Sequence, residues 1–228
     1  MIIRGVNITG GIVKDAYDTT SNLLVFIDAN NATSYPGSGT TITDLSGNGY
    51  THTLSGPGFT TVGGVKCWDC TTTGQIVCNG TGPTLPTSGF TYIAWARMIA
   101  SSATYRTLFR TEPNNHPILI NAGTNTLGMW DNVSGGFQSS GYDVTALATV
   151  WAQWVTTGDS SGQTFYINGQ LVGTESGHTA AGNTHAYIGT MTAGQPFGYI
   201  ANAYLYSVKL SAEDIFRHYW SVKQRLGI

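Results

Sequence analysis

Residues 164–172 have the sequence TFYINGQLV, in which two short apolar runs flank Asn168-Gly169. An Asn-Gly pair between two such runs is the strongest short-range signal for a two-residue type I′ turn. The stretch therefore predicts two neighbouring antiparallel strands.

Similar apolar runs, bounded by Gly, Pro, Asn and Ser, recur along the chain without a fixed repeat. Short strands at this spacing are typical of a sandwich or jelly roll. The sequence thus predicts an all-β fold of two antiparallel sheets. The predicted strands are Leu23–Ile27, Val65–Trp68, Gln75–Cys78, Phe90–Met98, Thr107–Arg110, Pro117–Ile120, Thr126–Trp130, Ala152–Thr157, Thr164–Ile167, Ala186–Gly189 and Ile200–Val208.

The composition agrees with one such domain of 228 residues. Hydrophobic residues make up 41% of the chain and charged residues 10%, and there are 30 glycines to supply turns. A net charge of −2 gives no electrostatic reason to expect a nucleic-acid partner. The apolar run Leu23–Ile27 is far shorter than the roughly twenty residues that a membrane span needs. The segment after Arg4 lacks the apolar stretch and cleavage site of a signal peptide.

The C-terminal segment predicts one helix, from Ser211 to Leu226. Ser211 and the acidic residues that follow form a capping box at the positive end of the helix dipole. Gly227 provides the stop. The helix is amphipathic, and we expect its apolar face to pack on the sandwich; that face contains Ile215, Tyr219, Val222 and Leu226.

Residues 1–22 show little alternation, and we interpret them as an N-terminal arm ahead of a domain spanning 23–228. An arm of this kind could attach the domain to other chains by adding a strand to a sheet edge. The alternative is an ordinary edge strand of its own sandwich. The candidate attachment residues are Ile2, Ile3, Ile8, Ile12 and Val13.

The three cysteines, Cys67, Cys70 and Cys78, are an odd number and form no closed disulfide framework. Cys67 and Cys70 have zinc-ligand spacing, but no second pair completes a four-ligand site. We expect these thiols to pack in or beside strands. The five histidines are dispersed, and we expect them in loops or at the surface.

The stretch LVFIDANNATSYPGSGTTITDLSGNG (residues 24–49) resembles the opening of laminin-G-like, concanavalin-like jelly-roll domains of tailed-bacteriophage virion proteins. Further landmarks follow in the order of that family: FTYIAW (90–95), WAQWVTT (151–157), FYINGQLV (165–172), YIGT (187–190) and GYIANAYLYSVKLSAEDI (198–215). The ending HYWSVKQRLGI (218–228) is similar to that of the phage versions. KCWDC (66–70) departs from the usual Phe-Asp-Gly-like strand.

This resemblance implies a virion protein of head, tail or fibre, with other copies of itself and other virion proteins as partners. Some concanavalin-like sandwiches are glycosidases that place carboxylates on one strand face through an E-x-D-x-x-E pattern. No such pattern surrounds Glu112, Glu175 or Glu213, and no serine-hydrolase elbow or phosphate-binding loop is present. We therefore expect a non-catalytic protein.

Glycan binding requires exposed aromatic rings that stack on sugar C–H faces beside groups that reach hydroxyls. Loop aromatics next to polar residues are the candidates, although they could instead cover the edge of the core. The candidate contacts to a glycan or partner are Tyr105, Trp130, Asp131, Asn132, Phe137, Tyr142 and Phe197.

No cofactor is predicted. Relatives of the laminin-G type often hold calcium at a rim, and Asp131, Asp143 and Asp159 lie near turns, but no spacing matches a fixed calcium loop. The leading hypothesis is a virion structural or decorating protein, a symmetric homo-oligomer or lattice component that binds host-surface glycans weakly. The alternative is a stand-alone lectin module, with glycoside hydrolysis third.

Overall fold

A computed structural model describes residues 22–56, 58–100, 104–113, 115–190 and 194–228. They form two eight-stranded antiparallel sheets and one C-terminal helix, which confirms the predicted sandwich. The predicted arm, with Ile2, Ile3, Ile8, Ile12 and Val13, lies outside the described residues apart from Asn22, whose carbonyl accepts a hydrogen bond from the Ser207 amide at 2.8 Å.

The elements follow in chain order. They are β1 (Leu23–Asp28), β2 (Thr41–Ile42), β3 (His52–Ser55), β4 (Phe59–Val62), β5 (Val65–Cys70), β6 (Gln75–Cys78), β7 (Phe90–Met98), β8 (Arg106–Glu112), β9 (His116–Ile120), β10 (Thr126–Asp131), β11 (Gly136–Asp143), a short 3-10 helix (Thr145–Leu147), β12 (Trp151–Asp159), β13 (Gly162–Ile167), β14 (Gln170–Ser176), β15 (Thr184–Ile188), β16 (Gly198–Tyr206) and α1 (Ala212–Leu226).

The first sheet has the order β14-β13-β12-β7-β16-β5-β4, and β1 also pairs with β16. The long strand β16 pairs with β5 through Gly198–Ile200 and with β1 through Asn202–Tyr206, so β5 and β1 lie end to end along it. The second sheet has the order β11-β10-β9-β8-β15-β6-β3-β2. Neighbours that are distant in sequence, such as β8 and β15, give the jelly-roll topology.

The main hydrophobic core fills the space between the sheets. It includes fully buried aromatic side chains from both sheets, among them Trp154 and Tyr92 of the first and Phe109 of the second. Tyr92 and Phe109 pack across the interface with ring centroids 4.5 Å apart. Burial of such large rings is the main source of stability for a sandwich.

A second core lies between the outer face of the first sheet and α1. Ile215 and Val222 are buried there, and the Tyr219 ring stacks on Trp95 with centroids 5.6 Å apart. The predicted capping box is confirmed, since the Ser211 hydroxyl accepts a hydrogen bond from the Asp214 amide at 3.1 Å. The helix therefore packs on the outer face of the first sheet.

The Asn168-Gly169 turn is confirmed. Both residues have positive φ, 51° and 77°, as a type I′ turn requires, and Ile167 pairs with Gln170. A Cβ at Gly169 would lie 3.0 Å from the Phe216 ring, so the turn also contacts α1.

The three cysteines are buried and unpaired in β5 and β6. Burial raises the pKa of Cys67 to about 12 and that of Cys78 to about 11, so these thiols are protonated and poorly nucleophilic at neutral pH. No helix in the described part of the chain is both long and apolar enough to cross a membrane.

Candidate functional site

Three aromatic side chains meet on the second sheet, and we call them the aromatic platform: Tyr105, Trp130 and Phe137. Trp130 near the end of β10 is the direct cross-strand partner of Phe137 in β11. Tyr105 comes immediately before β8 and approaches Trp130 edge-on, with centroids 5.7 Å apart, and Phe137 at 6.5 Å. All three rings are half-buried, so each is held by packing and still reaches solvent.

A glycine makes room for the platform. The Phe137 ring lies across Gly128 of the neighbouring strand, where a Cβ would stand 2.6 Å from Phe137 Cζ and 2.1 Å from the Gln138 carbonyl oxygen. Contacts this short do not occur in folded proteins, so a side chain at this position would displace the ring.

We expect Gly128→Ala to move Phe137 and to lower the free energy of unfolding by about 1–3 kcal/mol through overpacking. Gly136→Ala is the matched control in the same hairpin, because its Cβ would meet only Gln138 Nε2 at 3.8 Å. Urea unfolding of both variants measures the difference. Equal stability of the two variants would show that Gly128 has no spatial role.

The loop from 131 to 136 is held beside the platform by a hydrogen bond within the loop and by another to Asn115. The buried Asp131 carboxylate accepts from the Val133 amide at 2.9 Å, and the Asn132 amide donates to Asn115 Oδ1 at 2.8 Å. The Asn115 side chain in turn donates to the Thr179 carbonyl at 3.1 Å. Asp131 is thus occupied within the loop, and the exposed Asn132 side chain lies at its surface.

A series of hydrogen-bonded polar side chains lies next to Trp130. The Thr107 hydroxyl donates to Gln195 Oε1 at 2.6 Å, so it must accept from His116 Nδ1 at 2.8 Å, which places the His116 proton on Nδ1. Burial, together with the positive charge of Arg110, lowers the pKa of His116 to about 4. His116 is the cross-strand partner of Trp130 and stays neutral at physiological pH.

Arg106 joins the two loops at this end of the sheet. Its Nη1 donates to the Thr104 hydroxyl at 3.2 Å and the Pro196 carbonyl at 3.3 Å, and its Nη2 donates to the Ala100 carbonyl at 3.1 Å. Only 5% of Arg106 is exposed. The guanidinium therefore positions the loops around Tyr105.

The structure groups four of the seven predicted contact residues: Tyr105, Trp130, Phe137 and Asn132. Asp131 is buried beneath them, and the half-buried Tyr142 packs against the core. Phe197 requires a correction, because it is fully buried edge-on to Trp154 with centroids 5.2 Å apart. It was predicted as a loop aromatic beside polar groups, but its ring packs in the core between the sheets.

Sequence reasoning missed the polar residues around the platform, namely Thr107, His116 and Gln195. They lie in different strands and loops, and no local spacing links them. It also placed the histidines in loops or at the surface, which is wrong for four of the five. The buried ones are His52, His116, His185 and His218.

A second concave feature lies farther along the same sheet. It is an open groove of about 320 Å³ lined by Tyr187, Glu112, Thr184 and the 80–82 loop. The Arg110 guanidinium lies 4.7 Å from the Tyr187 ring centroid and pairs with Glu112 at 3.0 Å. The groove therefore presents one carboxylate beside one aromatic ring.

Residues 71–216 match the Laminin_G_3 family, described as the concanavalin A-like lectin/glucanases superfamily. The chain belongs to this family. No curated protein sequence matches the chain significantly. The matched segment contains every residue of the aromatic platform and of the groove.

Solved structures show the same fold in larger proteins. The chain is similar to Trypanosoma rangeli sialidase, with 13% identity over 90% of this chain and 33% of that one, at a TM-score of 0.61. It is also similar to the receptor-binding domain of botulinum neurotoxin C/D mosaic serotype, with 14% identity over 88% of this chain and 51% of that one, at 0.63. A third similar structure is the binding domain of botulinum neurotoxin DC in complex with rat synaptotagmin II. Its identity is 16% over 89% of this chain and 52% of that one, at a TM-score of 0.64.

The chain spans about a third of the sialidase and about half of the neurotoxin domains. At these identities the likeness establishes the concanavalin A-like fold alone. What the chain binds must therefore be argued from its own residues.

The three glutamates of this concanavalin A-like domain lie on separate elements. Glu112 at the end of β8 pairs with Arg110, Glu175 in β14 lies 2.6 Å from His178 Nδ1, and Glu213 in α1 pairs with Arg217. Each therefore has a partner of its own.

The aspartates near turns serve those turns. Asp143 accepts from the Thr145 amide at 2.7 Å, and Asp159 accepts from the Ser161 amide at 2.8 Å and pairs with Lys209 at 2.8 Å. Hydrogen bonds from the Thr145 hydroxyl and amide lower the pKa of Asp143, and those from Lys209 and Ser161 lower the pKa of Asp159. Within the described ranges no group of three or more His, Cys, Asp or Glu side chains is placed to hold a metal ion.

Proposed function

We propose that this protein is a non-catalytic carbohydrate-binding domain carried on a tailed-phage particle, with the aromatic platform as its glycan contact. The single observation that carries the proposal is the convergence of three half-exposed rings from two strands and a loop. Isolated surface aromatics are common, but a preformed cluster beside polar groups is typical of a ligand site.

The platform has the chemistry that a sugar needs. Aromatic faces and edges pack against the apolar C–H surface of a pyranose ring, and neutral amides and hydroxyls pair with its hydroxyl groups. The exposed Asn132, two residues after Trp130, supplies such an amide in the adjoining loop. Because loop and rings are already fixed, binding costs little conformational entropy.

The arrangement of carboxylates supports a binding role over hydrolysis. Retaining and inverting glycosidases need two carboxyl groups facing one scissile bond, about 5–10 Å apart. In this chain each glutamate is paired with its own neighbouring residue on a different element. Asp131, the carboxylate that follows Trp130 in the described chain, is buried in its loop.

The sequence resemblance of residues 24–49 and 218–228 to tailed-phage virion domains supports the proposed location. Repeated copies on a particle convert weak single-site affinity into strong attachment, so a modest platform is sufficient. We propose residues 1–22 as the segment that joins the domain to neighbouring chains.

A glycan array probed with the purified protein tests the binding proposal. We expect binding to a subset of the printed glycans and no hydrolysis of β-glucans, and Glu112→Gln, Glu175→Gln and Glu213→Gln should leave binding intact. Turnover that disappears in one of these variants would contradict the non-catalytic role, and no binding to any glycan would contradict the binding role.

Two measurements test the location. Mass spectrometry of purified particles should find the protein in many copies, and deletion of residues 1–20 should leave a folded domain that no longer joins the particle. Its absence from particles would favour the alternative of a stand-alone lectin.

A further inference from the structure

The cations of this protein are distributed unevenly over its two sheets. In the described ranges, the Lys and Arg residues of the first sheet, the segment before α1 and α1 itself are six in number: Lys66, Arg97, Lys209, Arg217, Lys223 and Arg225. The strands of the second sheet carry two, Arg106 and Arg110. Among the described residues, the face that holds the platform is therefore poor in positive charge.

Both arginines of the second sheet are buried and engaged. Arg106 is 5% exposed and Arg110 is 9% exposed. Arg106 donates to one hydroxyl and two backbone carbonyls, and Arg110 pairs with Glu112 against the Tyr187 ring. A ligand carboxylate could reach either guanidinium only if the structure that buries it moved.

The described residues of the loops around the platform carry no charge. They are 99–100 (IA), 104–105 (TY), 132–135 (NVSG), 189–190 (GT) and 194–197 (GQPF). Together they supply amides, hydroxyls and aromatic rings. The charges close to the platform, Arg106 and Asp131, are both buried and of opposite sign.

We infer that the platform selects uncharged saccharides, neutral hexose or N-acetylhexosamine chains, over sialylated, sulfated or uronic-acid glycans; this rests on the proposed carbohydrate-binding function. Moving an anionic group from water onto this surface removes hydration without a cation to replace it. A neutral sugar loses only hydroxyl hydrogen bonds, which the amides and hydroxyls of the site can restore.

The first test compares matched glycans on one array, each neutral core beside its sialylated, sulfated and uronic-acid derivatives. We expect the neutral core to bind at least as strongly as every derivative, and its affinity to change less than twofold between 50 and 500 mM NaCl. A preference of more than tenfold for an acidic derivative, lost at high salt, would overturn this inference and leave the carbohydrate-binding function standing. No binding to any glycan would overturn both.

A charge pair placed beside the platform provides the second test. Val133 is 94% exposed in the β10–β11 loop, three residues after Trp130, so Val133→Lys and Val133→Glu should fold alike. For the glycan that binds best on the array, whatever its charge, we expect the affinities of the two variants to agree within twofold. A severalfold advantage of Val133→Lys at 50 mM NaCl, abolished at 500 mM, would show that the bound group is anionic and would overturn the inference.

Discussion

Lowering the pH from 7 to about 4.5 should unfold this domain cooperatively. Four histidines are buried, and burial is the main cause that lowers their pKa values from the ordinary 6.5. The pKa of His52 and that of His116 fall to about 4, that of His218 falls to about 3, and that of His185 falls well below its ordinary value. His52 and His185 also face each other, with Nε2 atoms 3.4 Å apart, so a proton on one disfavours a proton on the other.

The direction follows from proton binding. Above pH 6.5 these imidazoles are neutral in both the folded and the unfolded chain. Below pH 6.5 the unfolded chain takes up protons that the folded chain refuses until the pH reaches its lower pKa values. Each histidine then lowers the free energy of unfolding by up to about 1.4 kcal/mol per pH unit. A typical domain has a free energy of unfolding of 5–15 kcal/mol, which four such histidines can offset within about two pH units.

Urea unfolding at pH values between 5 and 8 measures this effect. We expect the free energy of unfolding to fall below pH 6.5 with a slope that corresponds to uptake of three or four protons. His218→Gln should reduce that slope, because its amide remains neutral and can keep a hydrogen bond to Gln153. His178→Gln is the control, because it removes an imidazole that is not buried and should leave the slope unchanged. A domain that stays fully folded at pH 4.5 would contradict the prediction.

Features with a local chemical cause could be predicted from the sequence. The Asn168-Gly169 turn and the Ser211 cap each depend on a few adjacent residues, and both form as expected. Strands with strong apolar runs, such as Gln75–Cys78 and Phe90–Met98, were predicted with the bounds that the structure has. In these segments local preference and burial favour the same conformation.

Strands with weak local signals were missed. The sequence of β11, GFQSSGYD, is polar and rich in Gly and Ser, and it becomes a strand because β10 beside it offers hydrogen-bonding partners. β4, with sequence FTTV, similarly forms through its pairing with β5. Edge strands of this kind are set by tertiary pairing, which no local pattern reports.

The site was predictable only in part for the same reason. The aromatic residues stood out by type, but their convergence depends on the register that places Phe137 opposite Trp130. The buried direction of Phe197 depends on how β16, which begins at Gly198, is placed in the first sheet. The hydrogen bonds between His116, Thr107 and Gln195 join segments about 90 residues apart. Such contacts follow from the sheet order.

Replacing Trp130 by Ala should weaken glycan binding most. Trp130 is the ring that joins the platform, with Tyr105 against its edge and Phe137 as its strand partner. Truncation of a central tryptophan at a binding surface typically costs about 2 kcal/mol or more, which corresponds to about 30-fold in affinity. The side chain is half-exposed, so the variant should still fold.

Trp220 offers a matched control on the opposite side of the molecule. It is 46% exposed on α1, which covers the first sheet, and its loss removes the same ring without touching the platform. Titration of the best-binding neutral glycan into the parent protein, Trp130→Ala and Trp220→Ala compares the two sites directly. We expect a loss of about 30-fold or more for Trp130→Ala and less than twofold for Trp220→Ala; equal affinities for Trp130→Ala and the parent would contradict the assignment of the platform as the carbohydrate-binding site.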